Sequence, residues 1–266
     1  MTLNVVDLSN NNAPSDIKNY PADAYIFKAT EGTNFTDSYC DKLVQQCIKR
    51  NIPFGVYHFM DGSNWQKQAD HFINATKGYV GKGLLVLDYE MYGRQGTAIA
   101  KKWLDYVTEK TGVKPLLYTS QSVTNEENWS AVVKADYGLW VAQYASKLGK
   151  VGYWSTVAMW QYTSTPYDKS YFYGTRATWD AYAGKKGAEK VSKPTYQKEI
   201  GWYKVVKDDV FYKEKELKNK SGWKTKVGQT IYIPEVVNYG KTTRGKVMLA
   251  KHYRYITLND NYLKKI

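Results

Sequence analysis

The chain has 266 residues, which is enough for one large domain or for a large and a small one. Its composition is that of a globular protein except for 25 tyrosines and a net charge of +13, and this charge favours an anionic partner. No apolar run approaches the roughly 18 residues that cross a membrane, and the first residues lack the pattern of a signal peptide, so neither membrane insertion nor a secretory leader is expected.

Short strands and helices alternate along the first 183 residues. Three segments predict amphipathic helices: residues 37–50, "NWQKQADHFINATKG" and "GTAIAKKWLDYVTEKTG", where Gly112 suits a C-terminal cap. Eight apolar, β-branched or aromatic runs predict strands: "LNVVDLS", "AYIFKATEG", "PFGVYHFM", "LLVLDYE", "KPLLYTS", "GLWVAQY", "VAMWQYT" and "ATWDAYAG". Because strands that alternate with helices form parallel sheets, the pattern predicts an α/β fold, an irregular TIM-like β/α barrel.

The two cysteines lie on the first predicted helix. Cys40 and Cys47 are seven residues apart, which places them on one face of a helix at a separation of roughly 10 Å. That distance is too long for a disulfide, so both are predicted to be buried core residues.

Acidic residues follow several of the predicted strands. Asp7, Glu31 and the pair Asp88 and Glu90 each come after an apolar run, and Asp180 lies within the last candidate strand. In β/α barrels the active site is at the carboxyl ends of the strands, so these acids are the candidates for chemistry.

Asp88 and Glu90 are one residue apart after the buried run "LLVL". Strand alternation points both side chains the same way, with Cα atoms roughly 6–7 Å apart, and two such close carboxyl groups cannot both ionise freely. An acid with a raised pKa beside an ionised one is what glycoside hydrolysis requires. An isolated Asp-x-Glu also fits a solvated strand end, or a metal site that would need more carboxylates or histidines.

Aromatic residues are frequent in the predicted strands. Flat rings at the mouth of a barrel can stack on sugars, although they can also simply fill its interior. We favour a sugar-binding groove, for which the candidate residues are Glu31, Tyr57, Tyr118, Trp140, Gln143, Tyr144, Trp160 and Gln161.

Several motifs, in this order, resemble family 25 of the glycoside hydrolases, which are lysozymes of bacteria, phages and some fungi. They are "VVDLSNNN", "FKATEGTNFTD", "GVYHFM", "LLVLDYE", "LLYTS", "LWVAQY" and "MWQYT". The resemblance covers about residues 4–184. It implies an irregular β/α barrel that hydrolyses the β-1,4 bond between N-acetylmuramic acid and N-acetylglucosamine with retention. We expect neither a cofactor nor a metal.

The resemblance also implies roles for four acids. Glu90 matches the general acid and Asp88 its partner carboxylate, while Asp7 matches the acid of the first strand and Asp180 the acid near the end of the barrel. Two positions depart from the family: Asn10 stands where His is frequent, and Asp180 begins Asp-Ala-Tyr instead of Asp, an apolar residue and Asn. Whether Asp88 attacks the sugar or orients the substrate's acetamido group is left open.

The last quarter of the chain has a different composition. Residues 194–266 hold 16 Lys and Arg against 7 Asp and Glu, a net charge of +9, whereas residues 1–193 hold 22 and 18, a net charge of +4. The join is polar and rich in Gly and Lys. We therefore predict a catalytic domain at residues 1–184, a linker at 185–195 and a second domain at 196–266.

Short strand runs separated by turns of Lys, Asn and Gly predict that residues 196–266 form a small all-β barrel. This segment resembles the SH3-like wall-binding modules of Gram-positive wall hydrolases, which implies an anionic wall polymer or the peptidoglycan stem as its partner. A solvated basic face and nucleic-acid binding are the alternatives, and the adjoining lysozyme-like segment favours the wall over nucleic acid.

The whole chain is thus predicted to be a modular phage endolysin that hydrolyses peptidoglycan. Without a leader, it would be made in the host cytoplasm and reach the wall through a holin pore; a bacterial autolysin is the alternative. Two other functions remain open at this point: a catalytically inactive sugar-binding protein and a hydrolase of chitin-like polymers.

Overall fold

The computed structural model describes residues 2–185 and 195–266. They belong to two compact units, described separately below as the N-terminal unit and the C-terminal unit. The predicted linker, residues 185–195, lies outside the described residues except at its two ends.

The N-terminal unit is built on a closed barrel of eight strands. Its strands are β1 Leu3–Leu8, β2 Ala24–Glu31, β4 Phe54–Phe59, β5 Leu84–Asp88, β6 Leu116–Ser120, β7 Leu139–Ala142, β8 Met159–Thr163 and β9 Lys169–Phe172, while the short β3, Phe35–Thr36, pairs with the end of β2 outside the barrel. Pairing is parallel from β1 through β8, but β9 runs antiparallel to both β8 and β1. The predicted barrel is confirmed.

Within residues 2–185, six α-helices accompany the barrel: α1 Cys40–Lys49, α2 Trp65–Thr76, α3 Thr97–Thr111, α4 Gln121–Glu126, α5 Ser130–Lys134 and α6 Arg176–Tyr182, with 3₁₀ helices at Ile17–Asn19 and Met91–Gly93. The three predicted helices correspond to α1, α2 and α3. Gly112 ends α3 in the left-handed region, with φ of 72°, and its N–H donates to the Thr108 carbonyl. Cys40 and Cys47 are buried free thiols of α1, as predicted.

The interpretation of "ATWDAYAG" as the eighth strand is wrong, because this segment contains α6 and the eighth strand is β9. Thr175 caps the helix by accepting a hydrogen bond from the Thr178 N–H. Trp179 is fully buried in the barrel interior, packs edge-on against Phe172, and donates its indole N–H to the carbonyl of Phe54. Since Phe54 begins β4, α6 closes the barrel at the amino-terminal ends of its strands.

Strand alternation divides the core of the N-terminal unit into two layers. Odd and even residues of each strand face opposite sides, so one set fills the barrel and the other packs against the helices. Val86 and Met159 belong to the interior, whereas Leu85, Leu87 and Trp160 belong to the outer layer. At the carboxyl ends of the strands the inward positions become polar, which creates the site described below.

Residues 195–266 of the C-terminal unit form two antiparallel sheets. Its strands are β10 Gly201–Val205, β11 Asp209–Tyr212, β12 Lys220–Thr225, β13 Thr230–Ile233, β14 Glu235–Tyr239, β15 Thr242–Leu249, β16 His252–Thr257 and β17 Leu263–Lys265. One sheet has the order β13-β10-β17 and the other β12-β11-β16-β15-β14. Their buried core includes Tyr203, Phe211, Ile233 and Leu258. The SH3-like identity of this all-β unit stays a prediction.

Among the helices in residues 2–185 and 195–266, none combines the length and apolarity that a bilayer crossing requires.

Candidate active site

Four acidic side chains meet at the carboxyl ends of the barrel strands. Asp7 lies near the end of β1, Asp88 is the last residue of β5, and Glu90 follows two residues later. The fourth, Asp168, immediately precedes β9; because β9 is antiparallel, its start lies at the same end of the barrel as the carboxyl ends of its neighbours. They surround a cavity of about 230 Å³ lined by Asp7, Ser9, Asn11, Lys28, Tyr57, Phe59, Asp88, Glu90, Tyr118, Trp140, Tyr144, Gln161 and Asp168.

Tyr89 fixes the segment that carries the two central acids. Its side chain is fully buried and packs edge-on against Trp129, while its hydroxyl donates to Glu127 and accepts the N–H of Gly96. Its main-chain N–H donates to the carbonyl of Tyr118 at 2.9 Å. These contacts hold residue 89 facing away from the cavity, so Asp88 and Glu90 on either side of it face inward.

Burial raises the pKa values of the two central acids, Asp88 and Glu90. Burial raises the pKa of Asp88 well above its usual value, and the charges of Glu90 and Asp7 raise it further, whereas Lys28 lowers it. Burial also raises the pKa of Glu90, although its hydrogen bonds with Asp88 and Tyr118 oppose the shift. Such a coupled pair retains a proton at a pH where an exposed carboxyl group would have lost it.

Asp7 is held by Gln161. The Gln161 side-chain amide donates to Asp7 Oδ2 at 3.0 Å, and its Oε1 accepts the hydroxyls of Tyr118 at 2.9 Å and Tyr144 at 3.2 Å. The two hydroxyls therefore orient the amide so that its N–H groups face Asp7. Burial and the charge of Asp168 raise the pKa of Asp7 to about 8, against the effect of the Gln161 hydrogen bond.

Among the described residues that line the cavity, Lys28 is the positively charged one. The sequence analysis did not predict it as a site residue. It is 8% exposed, and its Nζ lies 2.5 Å from Glu31 Oε2 and 4.9 Å from the centre of the Phe59 ring. Glu31, predicted to bind substrate, instead pairs with Lys28 and does not line the cavity. The available signal was a lysine two residues after Ile26, at the next inward position of β2.

Five predicted substrate-binding residues do line the cavity: Tyr57, Tyr118, Trp140, Tyr144 and Gln161. The ring centres of Tyr118 and Trp140 are 4.5 Å apart, which makes one continuous aromatic wall. Tyr144 is 59% exposed, so its ring is open to a ligand at the rim.

Trp160 and Gln143 do not line the cavity. Trp160 precedes the inward-facing Gln161 in β8, so alternation turns its ring outward, where it packs near Tyr162 and Tyr171. Its indole N–H donates to the carbonyl of Gln143, and the Gln143 side chain accepts the N–H of Gly149. Both residues therefore hold the loop after β7 in place.

Asp180 is also outside the site. It lies in α6, at the other end of the barrel from the cavity, and pairs with Arg176 at 3.1 Å and Lys185 at 3.5 Å. Asp168 joins the cluster in its place, and burial raises the pKa of that carboxyl group. Asp168 comes before its strand and not after one, so a search for acids that follow predicted strands does not find it.

In the part of the chain that the structure describes, no group of three or more His, Cys, Asp or Glu side chains is arranged to hold a metal ion.

The sequence profile of glycosyl hydrolases family 25 matches residues 6–171. The chain is 26% identical over 132 residues to the autolytic lysozyme of Clostridium acetobutylicum, and 24% identical over 160 residues to the lysozyme of Streptococcus phage Cp-1. These alignments cover 48% and 54% of this chain, and the chain spans only 40% and 45% of those relatives.

Solved structures share the fold of the N-terminal unit. The muramidase from Acremonium alcalophilum is 24% identical with a TM-score of 0.60, over 68% of this chain and 99% of that one. The lysozyme from Streptomyces coelicolor is 24% identical with a TM-score of 0.59, over 68% of this chain and 97% of that one.

Proposed function

Because the chain belongs to family 25 of the glycosyl hydrolases, we propose that it is a peptidoglycan hydrolase that cleaves the β-1,4 bond between N-acetylmuramic acid and N-acetylglucosamine. One observation carries the proposal: Asp7, Asp88, Glu90 and Asp168 converge on one cavity that is lined by aromatic rings. Converging carboxyl groups with raised pKa values supply both the acid and the carboxylate that this reaction needs.

Glu90 is the proton donor in this proposal. It is more exposed to the cavity than Asp88, and burial keeps its pKa raised. As the bond between the anomeric carbon and the glycosidic oxygen breaks, the proton of Glu90 passes to that oxygen, which leaves as a sugar hydroxyl. The remaining sugar becomes cationic, and the ionised members of the cluster stabilise it.

We propose that the substrate's own acetamido oxygen, and not Asp88, attacks the anomeric carbon. Asp88 is within hydrogen-bonding range of Glu90, whereas a retaining enzyme with a protein nucleophile separates the two carboxyl groups by about 5–5.5 Å. Asp88 lines the cavity, so its carboxyl group is placed to accept the acetamido N–H. Water then attacks the anomeric carbon and opens the cyclic intermediate, while the carboxylate of Glu90 takes a proton from that water, and the configuration is retained.

The C-terminal unit is proposed to attach the enzyme to Gram-positive walls. Residues 195–266 carry the net charge of +9 counted above, because residue 194 is an uncharged proline. A surface of this charge attracts anionic wall polymers, and attachment raises the concentration of enzyme at its substrate. The similarity to a phage lysozyme and to a clostridial autolytic lysozyme supports the assignment to wall lysis.

Purified Gram-positive walls test the bond specificity. After digestion, mass spectrometry of borohydride-reduced fragments should show new reducing ends on N-acetylmuramic acid. Reducing ends on N-acetylglucosamine, or release from chitin oligomers in preference to walls, would contradict the proposal. Binding of glycan strands with no cleavage would instead identify an inactive sugar-binding protein.

A further inference from the structure

The C-terminal unit contains a groove that the proposed chemistry does not use. Its volume of about 640 Å³ is within the roughly 300–1,000 Å³ typical of ligand-binding clefts. The residues that line it, called the C-terminal groove below, are Phe211, Trp223, Lys224, Thr225, Gln229, Thr230, Ile231, Tyr232, Pro234, Val247, Met248 and Leu249.

The C-terminal groove has a buried floor and exposed apolar walls. Phe211 and Val247 are buried and belong to the core of the unit. Trp223 and Tyr232 are each 48% exposed, and Met248 is 60% exposed. Three large apolar side chains left open to solvent around one concave surface indicate a binding site for a ligand with apolar surface of its own.

Two edge strands line this groove. β12 is an edge strand of the five-stranded sheet and supplies Trp223, Lys224 and Thr225 to the lining. β13 is an edge strand of the three-stranded sheet and supplies residues 230–232. Within the described residues, each of these strands therefore has one edge without a strand partner. Such edges bind extended peptides by adding them to the sheet through main-chain hydrogen bonds.

A β-bulge presents the exposed tryptophan. The register of the β11–β12 pair shifts between Val210, opposite Lys224, and Tyr212, opposite Lys220. Gly222, within this irregular stretch, has φ of 88° and therefore a backbone conformation that other residues rarely adopt. Bulges of this kind redirect side chains near binding sites, and here the redirected side chain is Trp223.

The charge of the C-terminal groove favours a carboxylate. Among the described residues that line the groove, Lys224 is the charged one and is exposed, and none is Asp or Glu. An anionic polymer with a charge on every repeat needs a row of cations, whereas this groove supplies one. A ligand with apolar groups, an extended main chain and a single carboxylate matches all of these features.

We propose that the C-terminal groove binds a short extended peptide whose free terminal carboxylate pairs with Lys224. This inference rests on the proposed function, since the peptide stems of peptidoglycan are the peptides that a wall hydrolase meets. The basic surface outside the groove remains available for anionic polymers. The groove would thus give the enzyme a recognition element that depends on peptide chemistry and little on salt.

Calorimetric titration of the full chain tests the proposal. The ligand is the sugar-free peptide L-Ala-D-isoglutamine-L-Lys-D-Ala-D-Ala, compared with the same peptide ending in a carboxamide. Because the peptide has no sugar, it is not a substrate for the barrel. We expect Trp223→Ala to weaken binding at least about 10-fold, while Trp223→Phe retains most of it. Tyr253→Ala, which changes an exposed ring outside the groove, should have no effect.

Lys224→Gln tests the carboxylate contact without removing a large side chain. We expect the unmodified chain to bind the carboxylate peptide about 2- to 5-fold more tightly than the amide, which is the range of one exposed ion pair. Lys224→Gln should abolish this preference, and Lys241→Gln, an exposed lysine in the turn before β15, should keep it.

Three outcomes would overturn the proposal. The full chain could fail to bind the peptide, or Trp223→Ala could leave peptide binding intact. The third outcome is that the groove binds peptide-free glycan strands or teichoic acid and not the peptide. The proposed function can be disproved independently of this role of the groove. Cleavage of peptide-free glycan strands depends on the barrel, so a chain that cleaves them without binding peptide disproves only the role of the groove. Peptide binding without cleavage disproves only the hydrolase.

Discussion

The two units use charge in opposite ways. The N-terminal unit encloses its functional carboxyl groups, and burial raises the pKa of Asp7, Asp88 and Glu90. In the C-terminal unit, by contrast, exposed Glu199 and Asp208 have lowered pKa values because lysines hydrogen-bond to them. Buried charge supplies chemistry and destabilises the fold that holds it, whereas exposed charge acts at a distance through solvent and is weakened by salt.

The largest effect should follow removal of the buried proton donor. Glu90→Gln keeps the shape of the side chain but cannot donate a proton, so turnover of soluble glycan strands should fall about 10²–10⁴-fold, or 3–5 kcal/mol of barrier. Binding of walls and thermal stability should remain. Turnover close to that of the unmodified chain would exclude Glu90 from the acid role.

The next effect distinguishes Asp168 from Asp180. Because Asp168 lines the cavity and Asp180 pairs with Arg176 far from it, Asp168→Asn should lower turnover about 10- to 100-fold and Asp180→Asn should leave it within about twofold. Parallel kinetics on one batch of soluble glycan strands measure both. Equal losses in the two variants would contradict the placement of the fourth acid at residue 168.

A chain shortened to residues 1–185 lacks the exposed positive charge of the C-terminal unit and so tests what that charge contributes. It retains the whole barrel and should cleave soluble glycan strands at the rate of the full chain, but it should clear intact cells about 10-fold more slowly because the tether is lost. Raising the salt toward 1 M, where the screening length is about 3 Å, should reduce this advantage of the full chain. Equal clearance by both chains at physiological salt would show that the C-terminal unit does not target the wall.

The last effect is on stability and not on turnover. Asp7 has a pKa near 3.8 when unfolded and about 8 in the fold, so the folded state binds more protons between these values and stability falls as the pH rises from about 4 to about 8. Asp7→Asn removes this dependence. Its melting temperature should therefore exceed that of the unmodified chain at pH 8, with a smaller difference at pH 4, while its activity is reduced. A larger gain at pH 4 than at pH 8 would reverse the assigned sign.

Local patterns predicted most of the barrel and two central acids, because alternation and strand ends depend on neighbouring residues. The antiparallel direction of β9 depends on how the barrel closes, and no local pattern shows it; Asp168 was missed for that reason. The prediction that Trp160 and Gln161 both bind substrate was a different error, because adjacent residues of one strand cannot both face the barrel interior. The segment "ATWDAYAG" was wrongly predicted as a strand because its apolar residues fit a strand as well as they fit α6, the helix that Thr175 caps.

Helix α6 also sets the smallest piece of the chain that can fold as an enzyme. Similarity to the family profile ends at residue 171, before the last residue of β9 and before the helix. A fragment cut there would lack Trp179 and expose the apolar interior of the barrel to water through its amino-terminal end. Transplanting this catalytic unit onto another binding module therefore requires a junction beyond Ala183, about twelve residues after the point that sequence comparison alone would suggest.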